Sequence, residues 1–155
     1  MPRTLIFIGV GIVLVLLVLN ILPENSQSQA NLERLSQIRP PHDWFQEQVI
    51  NNPKTVLVDF TATWCGPCQF LNKTLAEIEK NYGSQLDIVK VDIDEHKDLA
   101  ALYDVNAIPY VLIFRQGQVV AVIRGAAGYP EMESLVKPHL QPTVTMTQSE
   151  TSSPH

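Results

Sequence analysis

A chain of 155 residues with 45% apolar side chains can hold one domain of ordinary size with appendages at its ends. Its formal charge of −5 argues against a nucleic-acid surface. Two cysteines permit one internal bridge, and at Cys65 and Cys68 they are too close in sequence for that bridge to constrain the unfolded chain much.

The first element is the apolar run Leu5–Leu22, 18 residues interrupted only by Gly9, Gly11 and Asn20. As a helix it would measure roughly 27 Å, about the hydrocarbon thickness of a bilayer. Arg3 and the amino terminus precede it, and Glu24 is the first charge after it. The positive-inside bias then predicts a single-pass anchor with a cytoplasmic N-terminus and an exported remainder. A cleaved secretory signal competes with that reading, since Ser28-Gln29-Ala30 resembles a small-x-small cleavage site. The run exceeds the usual signal core in length, which favours a retained anchor. Either way the domain lies in a periplasm or a thylakoid-type lumen.

Residues 23–41 are rich in Ser, Gln, Asn, Glu and Pro and read as a linker, with a short edge strand allowed at Leu35–Ile38. Asp43 is placed to cap a helix from Trp44 to about Asn51, with Phe45, Gln48 and Val49 facing inward. Thr55–Thr61 is β-rich and almost wholly apolar, as in a strand covered on both faces. A helix from about Cys65 to Tyr82 carries Phe70, Leu71, Leu75 and Ile78 at helical spacing. A strand over Leu86–Ile93 and a short helix over Asp98–Tyr103 follow. Gln116-Gly117 then joins two strands, Tyr110–Arg115 and Gln118–Ile123, as a two-residue hairpin. A last helix over Pro130–Leu140 carries Met132, Leu135 and Val136, against the objection of Pro138 in its final turn. Residues 141–155 have the composition of a disordered tail. The order β-α-β-α-β-β-α implies an α/β domain over 42–140. Its sheet is mixed, with helices on both faces and a right-handed crossover through the cysteine-bearing helix.

The chemistry concentrates in Trp64-Cys65-Gly66-Pro67-Cys68, where a strand gives way to a helix. A sulfur at a helix N-terminus meets unsatisfied N–H groups and the positive end of the dipole, which stabilise a thiolate. Cys68 lies one turn further on the same face, in reach of Cys65. Pro67 fixes φ where a missing N–H costs nothing, and Gly66 leaves room for another chain. Half a zinc site is the competing reading. It needs two more ligands, and His42, His96, His139 and His155 show no finger or ribbon spacing. Asp59 stands mid-strand among apolar residues, where burial raises a carboxyl pKa toward neutrality; a structural polar residue satisfied by backbone is the alternative.

From about Asp43 to Leu140 the chain resembles the thioredoxin family. The resemblance is carried by Val58-Asp59-Phe60-Thr61-Ala62-Thr63-Trp64-Cys65-Gly66-Pro67-Cys68 and by Ala107-Ile108-Pro109. It implies the thioredoxin fold and thiol–disulfide exchange, with Cys65 as nucleophile, Cys68 as resolving thiol and Asp59 as acid/base for Cys68. It further implies a cis bond before Pro109, with the Ile108 backbone pairing with an extended client. Trp64, Ile93, Ile108 and Gly125 match the apolar collar that docks partners in relatives, and Lys90 holds the place of the buried carboxylate's partner. Arg124 and Tyr110 depart from the usual pattern, as does Thr61, and Arg124 could modulate the thiolate or favour acidic partners.

Gly66-Pro67 in front of a buried Asp59 resembles reducing members of the family. A reductase in an exported compartment needs electrons, so a membrane-embedded thiol donor is expected beside protein-disulfide clients. No cofactor is called for, and a monomer is expected. A net oxidase or isomerase of the same fold, or a binding module with incidental redox activity, are the alternatives.

Overall fold

The computed structural model describes residues 26–140; the expected membrane segment and the tail lie outside them. Strand β1 (Thr55–Thr61) is one of two interior strands of the sheet. It pairs in parallel with β2 (Leu86–Asp92) and antiparallel with β3 (Tyr110–Arg115), and β4 (Gln118–Arg124) closes the order β2-β1-β3-β4. The mixed sheet follows from its connections. A long helix carries β1 over to a parallel neighbour, while Gln116 and Gly117, both at positive φ, turn β3 directly into β4.

Alternation along β1 sends its side chains into two cores. Val56, Val58 and Phe60 join Leu35, Phe45, Leu99, Tyr103, Tyr110 and Phe114 on one face. Leu57 joins Leu71, Leu75, Ile78, Met132 and Val136 on the other. Asp59 shares the parity of Leu57, so it points toward the helix that bears the cysteines.

The helices are α1 (Ser26–Ser36), α2 (Asp43–Phe45) continued by a π-helical turn Gln46–Ile50, α3 (Gly66–Tyr82), α4 (Lys97–Leu102) and α5 (Tyr129–Val136). Among the described residues no helix is long and apolar enough to cross a membrane.

Four local expectations are corrected. The stretch read as a linker contains helix α1, and no edge strand forms at Leu35–Ile38. Leu35 is buried in the aromatic core, and the Ser36 hydroxyl accepts a hydrogen bond from Val119 N–H (3.0 Å). Tertiary packing thus overrides a polar composition. His42, not Asp43, is the N-cap of α2, and Gln48 is exposed while Phe45 and Val49 are buried. Phe70 and Leu135, spaced as core residues, are exposed instead. Finally α5 stops at Val136, and Lys137–His139 forms a 3-10 turn, since Pro138 cannot continue the α-helical bonding.

Candidate active site

The sulfur pair sits where β1 ends and α3 begins. Cys65 is the N-cap of α3 in extended conformation, and its Sγ accepts from Cys68 N–H at 3.2 Å. That contact answers one of the orphan donors of the first helical turn with a sulfur. Pro67 stands within the first two helical positions, where no N–H is needed. Cys65 and Cys68 are joined by a disulfide, with their Cα atoms 5.3 Å apart. Both are buried, Cys65 at 4% exposure and Cys68 at 1%.

Ala62 is buried together with the pair, and Ile93 and Ile108 pack against this small cluster. The Ile108–Pro109 bond is cis. The Pro109 carbonyl accepts from Gly125 N–H at 3.0 Å, which ties the end of β4 to this loop. Gly125 has φ +86, a conformation natural only to glycine. Nothing stands within 4 Å of where a Cβ would be at Gly66 or Gly125, so the backbone there is open to another chain. Trp64 is 66% exposed, yet its indole N–H donates to Asp94 Oδ2 at 2.7 Å, which fixes the ring at the rim.

Asp59 is fully buried, and neither carboxylate oxygen has a partner among the protein's groups. Desolvation pushes its pKa up to about 6, against a smaller opposing pull from the charge of Lys90. Lys90 is its register partner on β2 and lies toward solvent, lining a cleft of about 350 Å³ with Asn72, Leu75, Ala76, Glu79 and Ile88. A buried carboxyl poised near neutrality, six residues upstream of the first cysteine, can hold or release a proton during exchange.

The structure therefore gathers Cys65, Cys68, Trp64, Gly66, Pro67, Ile93, Ile108, Pro109 and Gly125 at one end of the sheet, where β1, β2 and β4 finish and β3 begins, with Asp59 and Lys90 beneath α3. Arg124 stands at the end of β4, next to Gly125. It pairs across β3–β4 with Tyr110, and its guanidinium lies over that ring at 5.3 Å, so its charge is engaged by an aromatic face. Two contributors were not read from sequence. Asp94 anchors Trp64, and its only signal was an acidic stretch after β2. Asn72, one turn beyond Cys68, keeps a buried Oδ1 without a partner beside the Lys90 cleft.

Comparison with known proteins agrees with this geometry. The family model described as Thioredoxin matches residues 38–138. The thioredoxin of Griffithsia pacifica is 39% identical over 99 residues, covering 64% of this chain and 91% of its own. Thioredoxin 1 of Synechococcus elongatus is 36% identical over 96 residues, 62% of this chain and 90% of its own. A thioredoxin-like protein of Synechocystis is 40% identical over 81 residues, 52% of this chain and 77% of its own. Matched over most of its length and carrying the bonded cysteine pair at a helix N-cap, the chain belongs to the thioredoxin family and is a thiol–disulfide oxidoreductase.

Proposed function

We propose that this protein is a membrane-tethered protein-disulfide reductase acting outside the cytoplasm. In its reduced form the Cys65 thiolate attacks a client disulfide, one client sulfur leaves as a thiolate, and a mixed disulfide forms on Cys65. Cys68 then attacks Cys65, the second client sulfur leaves, and the Cys65–Cys68 disulfide closes. Two electrons pass to the client. Asp59 takes the proton from Cys68 as it becomes the attacking thiolate. Ile108 offers its backbone to the client as an added strand, and Trp64, Gly66, Pro67, Ile93 and Gly125 form the contact surface. Lys90 tunes Asp59.

The observation that carries the reading is the partnerless carboxyl of Asp59 buried behind a Gly-Pro cysteine pair. The tether and the exported location are supported by the apolar run Leu5–Leu22 with Arg3 before it. A membrane-embedded thiol protein supplies the electrons on this reading. Insulin reduction should be lost in Cys65→Ser, and Cys68→Ala should trap clients as mixed disulfides. Equal turnover by Cys65→Ser would leave only a binding module. A reduction potential above about −180 mV would make the protein a net oxidase or isomerase instead.

A further inference from the structure

Helix α1 has a direction, and that direction decides at which end of the domain the described chain begins. Ser36, its last residue, bonds Val119 at the start of β4. Ser28, Asn31 and Leu32 share a groove of about 270 Å³ with Val122 and Arg124 toward the end of β4. The helix therefore runs antiparallel to β4, and its first turn lies at the Arg124 end.

That end is the active-site edge. Arg124 pairs with Tyr110, Tyr110 follows the cis-bonded Pro109, and Gly125 donates to the Pro109 carbonyl. The helix is held in this orientation by buried Leu35, by the Ser36–Val119 bond and by an Arg34–Asp104 ion pair at 2.6 Å. In the sequence only Pro23, Glu24 and Asn25 stand between Leu22 and Ser26. Three extended residues reach about 10 Å at most, little more than the depth of one headgroup layer.

We propose that the tether holds the Cys65–Cys68 edge facing the membrane surface, where it exchanges with a dithiol presented by a membrane-embedded protein. The inference rests on the tethered reading above and adds an orientation to it. A cysteine pair displayed at the bilayer surface is within reach of this edge. Trp64 suits such a place, because it is the most exposed large apolar side chain among the described residues and indoles favour the interface. In the exchange, a donor thiolate attacks Cys65 Sγ and Cys68 leaves as a thiolate. The donor's second thiolate then displaces Cys65. The donor dithiol is oxidised to a disulfide, and Cys65 and Cys68 take up the two electrons as thiolates.

The test places the full chain in phospholipid vesicles carrying a headgroup-linked energy acceptor. Trp44→Phe leaves Trp64 as the sole indole donor. A second protein carries in addition ~20 Gly/Ser residues between Asn25 and Ser26, a coil of about 25 Å. Energy transfer from Trp64 should fall at least about twofold on insertion of that coil, with insulin reduction in detergent unchanged. Equal transfer with and without the insert, in chains that float with the vesicles, overturns the orientation alone. A chain that does not float with vesicles overturns the tether, and the orientation with it.

Discussion

Tyr103 and Asp59 lie on opposite faces of the same sheet, both buried and both without a hydrogen-bond partner among the protein's groups. The Tyr103 hydroxyl sits in an aromatic core and, with burial raising its pKa above the ordinary phenol range, it stays neutral. The Asp59 carboxyl sits beneath α3 and changes charge at about pH 6. A neutral orphan carries a fixed cost of about 1–3 kcal/mol. An ionisable orphan carries a cost set by pH. The second kind is the one that can be coupled to chemistry, and it stands on the side of the sulfurs.

The largest effect should come from the face that supports both. Phe45 packs on Tyr103 at 5.8 Å and edge-on to Phe114 at 6.0 Å between ring centroids, and it is wholly buried. Phe45→Ala should lower stability by about 3–5 kcal/mol in denaturant unfolding. The titration of Asp59, on the other face, should not move. A loss under about 1 kcal/mol would mean that the aromatic face is not what sustains the fold.

Next in size is the pH dependence of Asp59. Its pKa is higher folded (about 6) than unfolded (about 3.8), so between those values the folded state binds more protons. Stability of the oxidised protein therefore falls as pH rises through that window, the reverse of a salt-bridged aspartate. It is level on either side. The drop is about 3 kcal/mol if Asp59 acts alone. Asp59→Asn removes the titration. Relative to wild type it should gain about that much between pH 3.5 and pH 7.5, while its client exchange slows. A constant difference across pH would end the contrast between the two orphans.

The placement of Asp59 was legible because a carboxylate inside Val56-Leu57-Val58-Asp59-Phe60 has no reading but burial once the run is a strand. All four strands were legible too, since β-rich apolar runs and a two-residue turn are local signals. Helix α1 was not. Its apolar content facing the domain reduces to Leu32 and Leu35, and what orders it is β4, 83 residues away in sequence at the Ser36–Val119 bond. Exposure of Phe70 was hidden for a related reason. Helical spacing names a stripe of candidates, and only the packing of the sheet decides which edge of the stripe faces water. The seat of Arg124 depended on Tyr110, its cross-strand partner, so neither residue alone revealed that the cation is held by a ring.

The smallest effect belongs to Tyr103→Phe, and it sharpens the comparison from the other side. The phenol ring makes contacts with Phe45, Phe60 and Phe114 that phenylalanine would keep, while the hydroxyl contributes no bond to another protein group. Removing a buried donor that lacks such a partner is neutral or stabilising, by up to about 1 kcal/mol. Because the hydroxyl stays neutral while the protein is folded, the difference from wild type should be the same at pH 5 and pH 8. Thermal unfolding of the oxidised variant at the two pH values measures it. A pH-dependent difference would mean that Tyr103 senses the charge on Asp59 through the sheet, and the two faces would then have to be treated as one electrostatic unit.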